Sequence, residues 1–356
     1  MPTSSRNSRS LLALALALFL PCGLSAQDVS RVTGESESAE RLRKLATPEK
    51  KAASTRVIPS LYEGETEDLG PQLLLLRPPP HRWFFALADV QDYYTSNAAL
   101  TEDSTTDTDV FVLTAQLSVE APAIALGGSS GKLVLGGGYR YQNFLYGTLS
   151  FTQDDPIQGG VGTIDSLDFQ THTPYLTAEW SNASGWMAGA GLRYSAFIAT
   201  RENAMTYQEW APSAHAGRRF NLTERSFLVV DADLAYRITH TMLPGGLASI
   251  LGADLNDRVD AGINVVYTHI LGDRMMIQPA YRFQYSRYTE GGSTASAGAG
   301  RQDFLHTFSV TGGYYFNENI AARLFCSAEV RDSDEAPVSD YRNVNLGAGA
   351  MLSMRF

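Results

Sequence analysis

From Trp83 to the C-terminus the chain alternates apolar and polar residues with a period of two, which constrains its fold more than any other feature. The pattern is clearest at the end. Val344, Leu346, Ala348, Ala350, Leu352, Met354 and Phe356 share one parity, Asn343, Asn345, Gly347, Gly349, Ser353 and Arg355 the other, and Met351 is the one mismatch. Successive side chains of a strand point to opposite faces, so such a segment has one oily and one polar side. The same logic recurs in Phe111–Val119, Leu133–Tyr141, Trp186–Tyr194, Val230–Ile238, Val259–Tyr267, Ile277–Phe283, Phe308–Phe316 and Ile320–Val330, with weaker segments near 83–94, 170–181 and 207–219. Together these make about twelve strands, an even number, as a single-chain barrel with both ends on one side of a membrane requires.

Beyond residue 26 no apolar stretch approaches the ~18 residues of a membrane-spanning helix, so any membrane crossing must be made by a closed barrel. The connections agree, because outer-membrane barrels have short periplasmic turns and longer outer loops. Asn182–Ser184, Asn221–Arg225, Leu271–Asp273 and Asn317–Asn319 are tight, whereas 95–108, 145–167, 241–256, 288–302 and 332–342 are long and rich in Gly, Asp, Ser and Thr. Pro122–Gly131 is longer than a periplasmic turn should be. Pro174, Pro212 and Pro279 fall inside strands, where each removes a ladder donor, and are expected to mark bulges or strand ends. The predicted fold is all-β: a single transmembrane antiparallel up-and-down β-barrel of about 12 strands over 83–356, with an N-terminal periplasmic arm.

The N-terminal region differs in kind. Arg6 and Arg9, the apolar run Leu11–Leu20 and Leu24-Ser25-Ala26 have the layout of a signal peptide over 1–26. Residues 27–82 are rich in Glu, Lys, Arg, Ser and Ala and end in Pro78-Pro79-Pro80, which reads as a partly disordered periplasmic arm. Within it Leu73–Leu76 are expected to lie on the barrel rim or to act as a plug or docking peptide. After signal cleavage a single cysteine, Cys326, remains, so no internal disulfide is expected. Of 28 basic residues, removal of the two signal arginines leaves 26 against 38 acidic, a mature charge of −12. That balance argues against a nucleic-acid partner.

With its signal peptide, dyad repeat, alternating loop lengths and terminal Phe356, the chain resembles the bacterial outer-membrane β-barrel superfamily over 83–356. The resemblance implies a location in the bacterial outer membrane, with lipid and lipopolysaccharide as neighbours. It also implies that the last strand is read by the barrel-assembly machinery. In that superfamily a second aromatic stands two residues before the terminal one, and here Met354 replaces it. Fold does not fix function.

Enzymatic chemistry finds little footing. The outer-membrane phospholipase family, also twelve-stranded, pairs a histidine with a serine two residues on; His172, His215, His240, His269 and His306 are followed at that spacing by Pro174, Gly217, Met242, Leu271 and Phe308. A hydrolase is therefore only a minor alternative. Asp332, Asp334 and Glu335, and Asp154-Asp155, are acidic loop clusters without the fixed spacing of a calcium loop, and read as solvated. No cofactor or metal is expected. The 56 residues 27–82 are too few for an autotransporter passenger.

The most informative repeat is Tyr139-Arg140-Tyr141, Leu192-Arg193-Tyr194, Tyr236-Arg237-Ile238 and Tyr281-Arg282-Phe283, all on outward-running strands. Parity sends the rings toward lipid, where with Trp186, Phe316 and Phe356 they serve as membrane anchors. It sends Arg140, Arg193, Arg237 and Arg282 into the lumen, together with Arg323 and the acids Glu179, Asp231, Asp233, Asp260 and Glu329. Arg140, Arg193 and Arg282 lie eight residues beyond the predicted strand starts Lys132, Gly185 and Arg274, so they are expected at a common height as a partial ring. Such a ring attracts anions unless the acids pair with it. Barrels of eight strands are filled and those of sixteen to eighteen are open, so ~12 strands predicts a narrow lumen. Two functions follow: a narrow diffusion channel for small solutes, anion-preferring where the arginine ring stays unpaired, or a non-conducting structural or surface-interaction barrel.

Overall fold

A computed structural model describes residues 81–100, 106–126, 131–157, 162–242, 256–289, 300–334 and 340–356. The signal peptide, nearly all of the arm including Leu73–Leu76, and Glu335 lie outside the described residues. The strands are β1 (Phe84–Thr95), β2 (Thr108–Glu120), β3 (Ile124–Leu126), β4 (Gly131–Tyr146), β5 (Phe169–Ser181), β6 (Trp186–Ala199), β7 (Ala204–Asn221), β8 (Ser226–Thr241), β9 (Arg258–Leu271), β10 (Met275–Tyr288), β11 (Gln302–Tyr315), β12 (Ile320–Ser333) and β13 (Tyr341–Arg355). A 3₁₀ turn, Ile164–Leu167, lies in the loop between β4 and β5.

Each strand is antiparallel to its neighbours, and β1 pairs with both β2 and β13, so twelve of the strands close into a barrel with no free edge. Closure is completed at the chain end: Phe84 and Phe356 exchange backbone hydrogen bonds of 3.0 and 3.1 Å, and their rings stack with centroids 6.1 Å apart. Because each wall strand pairs with a neighbour on both sides, the wall can stand in hydrocarbon.

The thirteenth strand explains the long turn at Pro122. β2 pairs β4 up to Glu120↔Gly136, the ladder breaks over Ala121–Ala123, and β3 resumes with Ile124↔Leu133. The paired positions sum to 256 before the break and 257 after it, so one extra residue is inserted at the proline. β3 is thus a continuation of β2 past a bulge, and it shortens the turn.

Bulges were expected at the other prolines too, and the structure corrects this. Pro174, Pro212 and Pro279 sit inside β5, β7 and β10 with the register unchanged across them. Each stays aligned with one neighbour, at Tyr139, Leu192 and Val310, while the ladder on its other side skips two positions. A proline here costs ladder bonds on one side only. A register shift does occur at Phe197/Ile198, where β6 meets β7.

Exposure follows the sequence parity. In β13 Val344, Leu346, Ala348, Ala350, Leu352 and Met354 are all exposed, as is Phe356 just beyond it, while Asn343, Asn345 and Ser353 are buried. Leu117, Leu176, Leu234, Ile263, Phe308 and Leu324 continue the apolar exterior on other strands. No helix among the described residues is long and apolar enough to cross a membrane.

A candidate site in the barrel lumen

All ten of Arg140, Arg193, Arg237, Arg282, Arg323, Glu179, Asp231, Asp233, Asp260 and Glu329 occupy the inward parity of their strands. What the sequence left open was whom they meet. Arg237 lies between two buried acids, with Nη1 2.8 Å from Glu209 Oε1 and Nε bonded to Asp260. Arg193 reaches the same Glu209 oxygen at 3.2 Å, and Arg258 Nε approaches Asp260 Oδ1 to 3.1 Å. The result is a chain, Arg193–Glu209–Arg237–Asp260–Arg258, that links β6, β7, β8 and β9. Glu209 and Asp260 are each 2% exposed, so these are desolvated pairs held by multiple charge-assisted bonds.

A second group adjoins it. Arg282 donates to Asp233 at 2.9 Å and to Asn264 Oδ1 at 2.9 Å, and Asn264 Nδ2 donates to both Asp231 and Asp233 at 3.1 Å. Ser286 on β10 ties the two groups together by donating to Asp260 Oδ1 at 2.7 Å. Elsewhere Arg140 Nε donates to Gln116 Oε1 at 2.9 Å, and His215 Nε2 lies 3.0 Å from Glu179. Glu329 is 1% exposed. Strands β4, β6 and β10 begin at Gly131, Trp186 and Met275, so Arg140, Arg193 and Arg282 lie nine, seven and seven residues along them.

Several of these pairs skip a strand. Glu179 on β5 and His215 on β7 meet across Gly189 of β6, and Arg282 on β10 meets Asp233 on β8 across Gly262 of β9. A methyl group at Gly262 would lie 2.7 Å from Asp233 Oδ1 and 3.0 Å from Arg282 Nη2, so a side chain there would evict the pair. These glycines are where the wall leaves room for partners two strands apart.

The sequence reading missed three participants, Glu209, Arg258 and Asp89. It also did not single out the apolar inward face at the outer end of β4–β7. There Phe144, Phe169, Phe197 and Tyr207 point inward in a chain of ring contacts with centroids 4.4, 6.3 and 5.0 Å apart. Parity carried the signal, since Phe144 shares the side of Arg140 and Phe197 that of Arg193. The loop after β4 is built around the same region. Asp109 accepts from Leu149 N at 2.9 Å and Ser150 N at 2.8 Å, Asp168 accepts from Tyr146 N at 2.7 Å, and Ile157, Ile164 and Leu167 are buried. Burial pushes the Asp168 carboxyl up to about 6; the Tyr146 N–H opposes the rise and nearby Asp165 adds to it.

On the outer surface Tyr139, Tyr236, Trp186, Phe316 and Phe356 are exposed, and Tyr141, Tyr194, Tyr281 and Phe283 partly so. Two share one local arrangement. His172 pairs with Tyr139 and flanks Tyr141, while His306 hydrogen-bonds Tyr281 at 2.9 Å and flanks Phe283. At the other end Arg218 lies over Trp186 and Phe220 at 5.1 and 5.0 Å. No group of three or more metal-ligating side chains is assembled among the described residues.

No protein-family profile matches the chain, and no curated protein matches it. Among solved structures, it is similar to an outer-membrane channel of Pseudomonas putida, with 11% identity over 78% of this chain and 97% of that one, at a TM-score of 0.48. It is also similar to the outer-membrane channel DcaP of Acinetobacter baumannii, with 12% identity over 76% and 96% and a TM-score of 0.38. A third is the translocator domain of the autotransporter NalP from Neisseria meningitidis, with 10% identity over 77% and 89% and a TM-score of 0.37. The assignment rests on the strand order itself: a closed antiparallel wall, apolar outside and polar within, is a barrel of the outer-membrane type.

Proposed function

We propose that this barrel is a narrow solute-diffusion channel of the bacterial outer membrane whose lumenal charges largely cancel. The observation that carries the reading is the inward face, where hydrogen-bonding side chains that are not buried stand on most of the strands: Gln91, Thr177, Arg193, His215, Asp233, Asn264, Arg282, Thr311 and Arg323. A lumen with that lining is wettable, and twelve strands leave it intermediate between filled and open barrels. Anion preference was expected from a ring of arginines. Two of the three ring members, Arg193 and Arg282, instead face carboxylates within 3.2 Å, as does Arg237, which favours a weak ion preference. The periplasmic arm and recognition by the assembly machinery belong to the same proposal.

A second reading, a non-conducting structural barrel, is favoured by the Arg193–Glu209–Arg237–Asp260–Arg258 chain, which cross-links four neighbouring strands. Single-channel recording in planar bilayers separates the two. Steady conductance with a reversal potential near zero in a KCl gradient is expected of the channel. Silence at high protein load would replace it with the structural barrel.

A further inference from the structure

Arg218 on β7 differs from the arginines of the lumen. Arg193, Arg237, Arg282 and Arg323 point inward, and each faces a carboxylate. Arg218 has the opposite parity, shared with the exposed Trp210, Ala214 and Ala216, so it points to the lipid side of the wall. There it has neither a carboxylate partner nor a hydrogen bond among the described residues. Its guanidinium is held instead by two rings, 5.1 Å from the centroid of Trp186 on β6 and 5.0 Å from that of Phe220. Its register neighbours are Trp186 and Val230, so the charge stands on an apolar surface.

The height on the wall explains how such a charge is tolerated. β7 ends at Asn221, which places Arg218 about 10 Å of strand from the end that carries the short turns. A lipid-facing arginine is costly at the bilayer midplane and costs little near the interface. At the interface the anionic group within reach is the phosphate of a lipid headgroup. Arg218 Nε is buried without a partner, whereas Nη1 and Nη2 are not enclosed in this way. A planar guanidinium presents such nitrogens as a fixed fork that matches two phosphate oxygens. Contact with Trp186 and Phe220 restricts the side chain beforehand, which lowers the cost of ordering it on binding.

We propose that Arg218, braced by Trp186 and Phe220, is a binding site for the phosphate of a phospholipid headgroup in the leaflet beside the short turns. Nη1 and Nη2 donate to two phosphate oxygens, and the two rings lie at the level of the lipid glycerol and upper acyl chains. The site is on the outer surface of the barrel, so it holds whether or not the lumen conducts.

The test is native mass spectrometry of the purified protein in detergent, delipidated and then titrated with dioleoylphosphatidylglycerol or with dioleoylglycerol, which has the same chains and no phosphate. Saturable binding of phosphatidylglycerol is expected, at lower concentration than dioleoylglycerol. Arg218→Gln, checked for folding by heat-modifiable migration, should raise the half-saturating phosphatidylglycerol concentration at least fivefold and leave dioleoylglycerol unchanged. If that variant does not fold, Arg218→Lys carries the test, because it keeps the charge without the fork, and a twofold or larger rise is expected. Equal binding of the two lipids by the wild type, or phosphatidylglycerol binding unchanged in a folded variant, overturns the site. Displacement of phosphatidylglycerol by an equal concentration of inorganic phosphate would mark a site for free phosphate and overturn the lipid assignment.

Discussion

Arg323 on β12 places Nη2 2.6 Å from Asp89 Oδ2 on β1, reaching across Gly349 of β13. The pair therefore spans the seam where the first and last strands close the barrel, and Gln91 accepts from the same nitrogen at 2.8 Å. Asp89 is 6% exposed. Removing one member of a buried pair leaves an uncompensated charge, so Arg323→Ala should cost about 3 kcal/mol. Replacing both, as Asp89→Leu with Arg323→Leu, should cost less than either single change. Urea unfolding in lipid vesicles measures this, and additive losses would show that the two residues do not act as a pair.

A related expectation concerns the chain end. Phe356 closes against Phe84 through two backbone bonds and a ring stack. Deleting Phe356 removes both and exposes the end of the seam, so the truncated protein should insert poorly. Heat-modifiable migration on gels is the readout, and wild-type migration would contradict the expectation.

The seam also shows what could be read from the sequence. Period two gave the wall, its strand count and the side each residue faces, because that information is local. Strand-skipping pairs are not local: Arg323 and Asp89 are 234 positions apart and meet only through the register of β13. Glu209 was missed because Pro212 interrupts the alternation of β7, and Asp89 because β1 is one of the weakly patterned segments. The loop after β4 reads as mere polar sequence. Its order comes from Asp109 and Asp168 accepting backbone N–H groups, which no periodicity announces.

Wall polarity gives a direct energetic test. Leu234 and Ile263 are 54% and 49% exposed on the lipid side, so Leu234→Arg and Ile263→Arg should each cost roughly 2 to 4 kcal/mol in lipid. Asn264→Arg faces inward beside Asp231 and Asp233 and should be milder. A reversed order of unfolding free energies would invert the assigned faces.

Asp168 makes the loop after β4 sensitive to acid. Its carboxyl is raised to about 6 from an ordinary 3.8, so the docked loop binds a proton that the undocked loop releases. Docking is therefore strongest below about pH 4, weakens as pH rises through 6, and is flat above. Since the group is partly exposed, the effect should be on the order of 1 kcal/mol. Hydrogen exchange of the Tyr146 amide, corrected for intrinsic rates, should show greater protection at pH 5 than at pH 7. Asp168→Asn should abolish that difference, and a pH-independent wild type would count against it.

The cluster on β6–β9 links stability to ion preference. It holds three cations, Arg193, Arg237 and Arg258, against two carboxylates, Glu209 and Asp260, and Arg237 is the member shared by both acids. Arg237→Gln leaves each acid with one remaining arginine, so it should cost stability, about 3 kcal/mol, while the cluster becomes neutral. Glu209→Gln does the reverse electrically: Arg193 and Arg237 lose their common partner, and the cluster gains a uncompensated positive charge in a low-dielectric passage. If the lumen conducts, Glu209→Gln should shift the reversal potential in a KCl gradient toward anion selectivity, and Arg237→Gln should move it slightly the other way. Equal reversal potentials in two conducting variants would mean that ions do not pass along this face of the lumen.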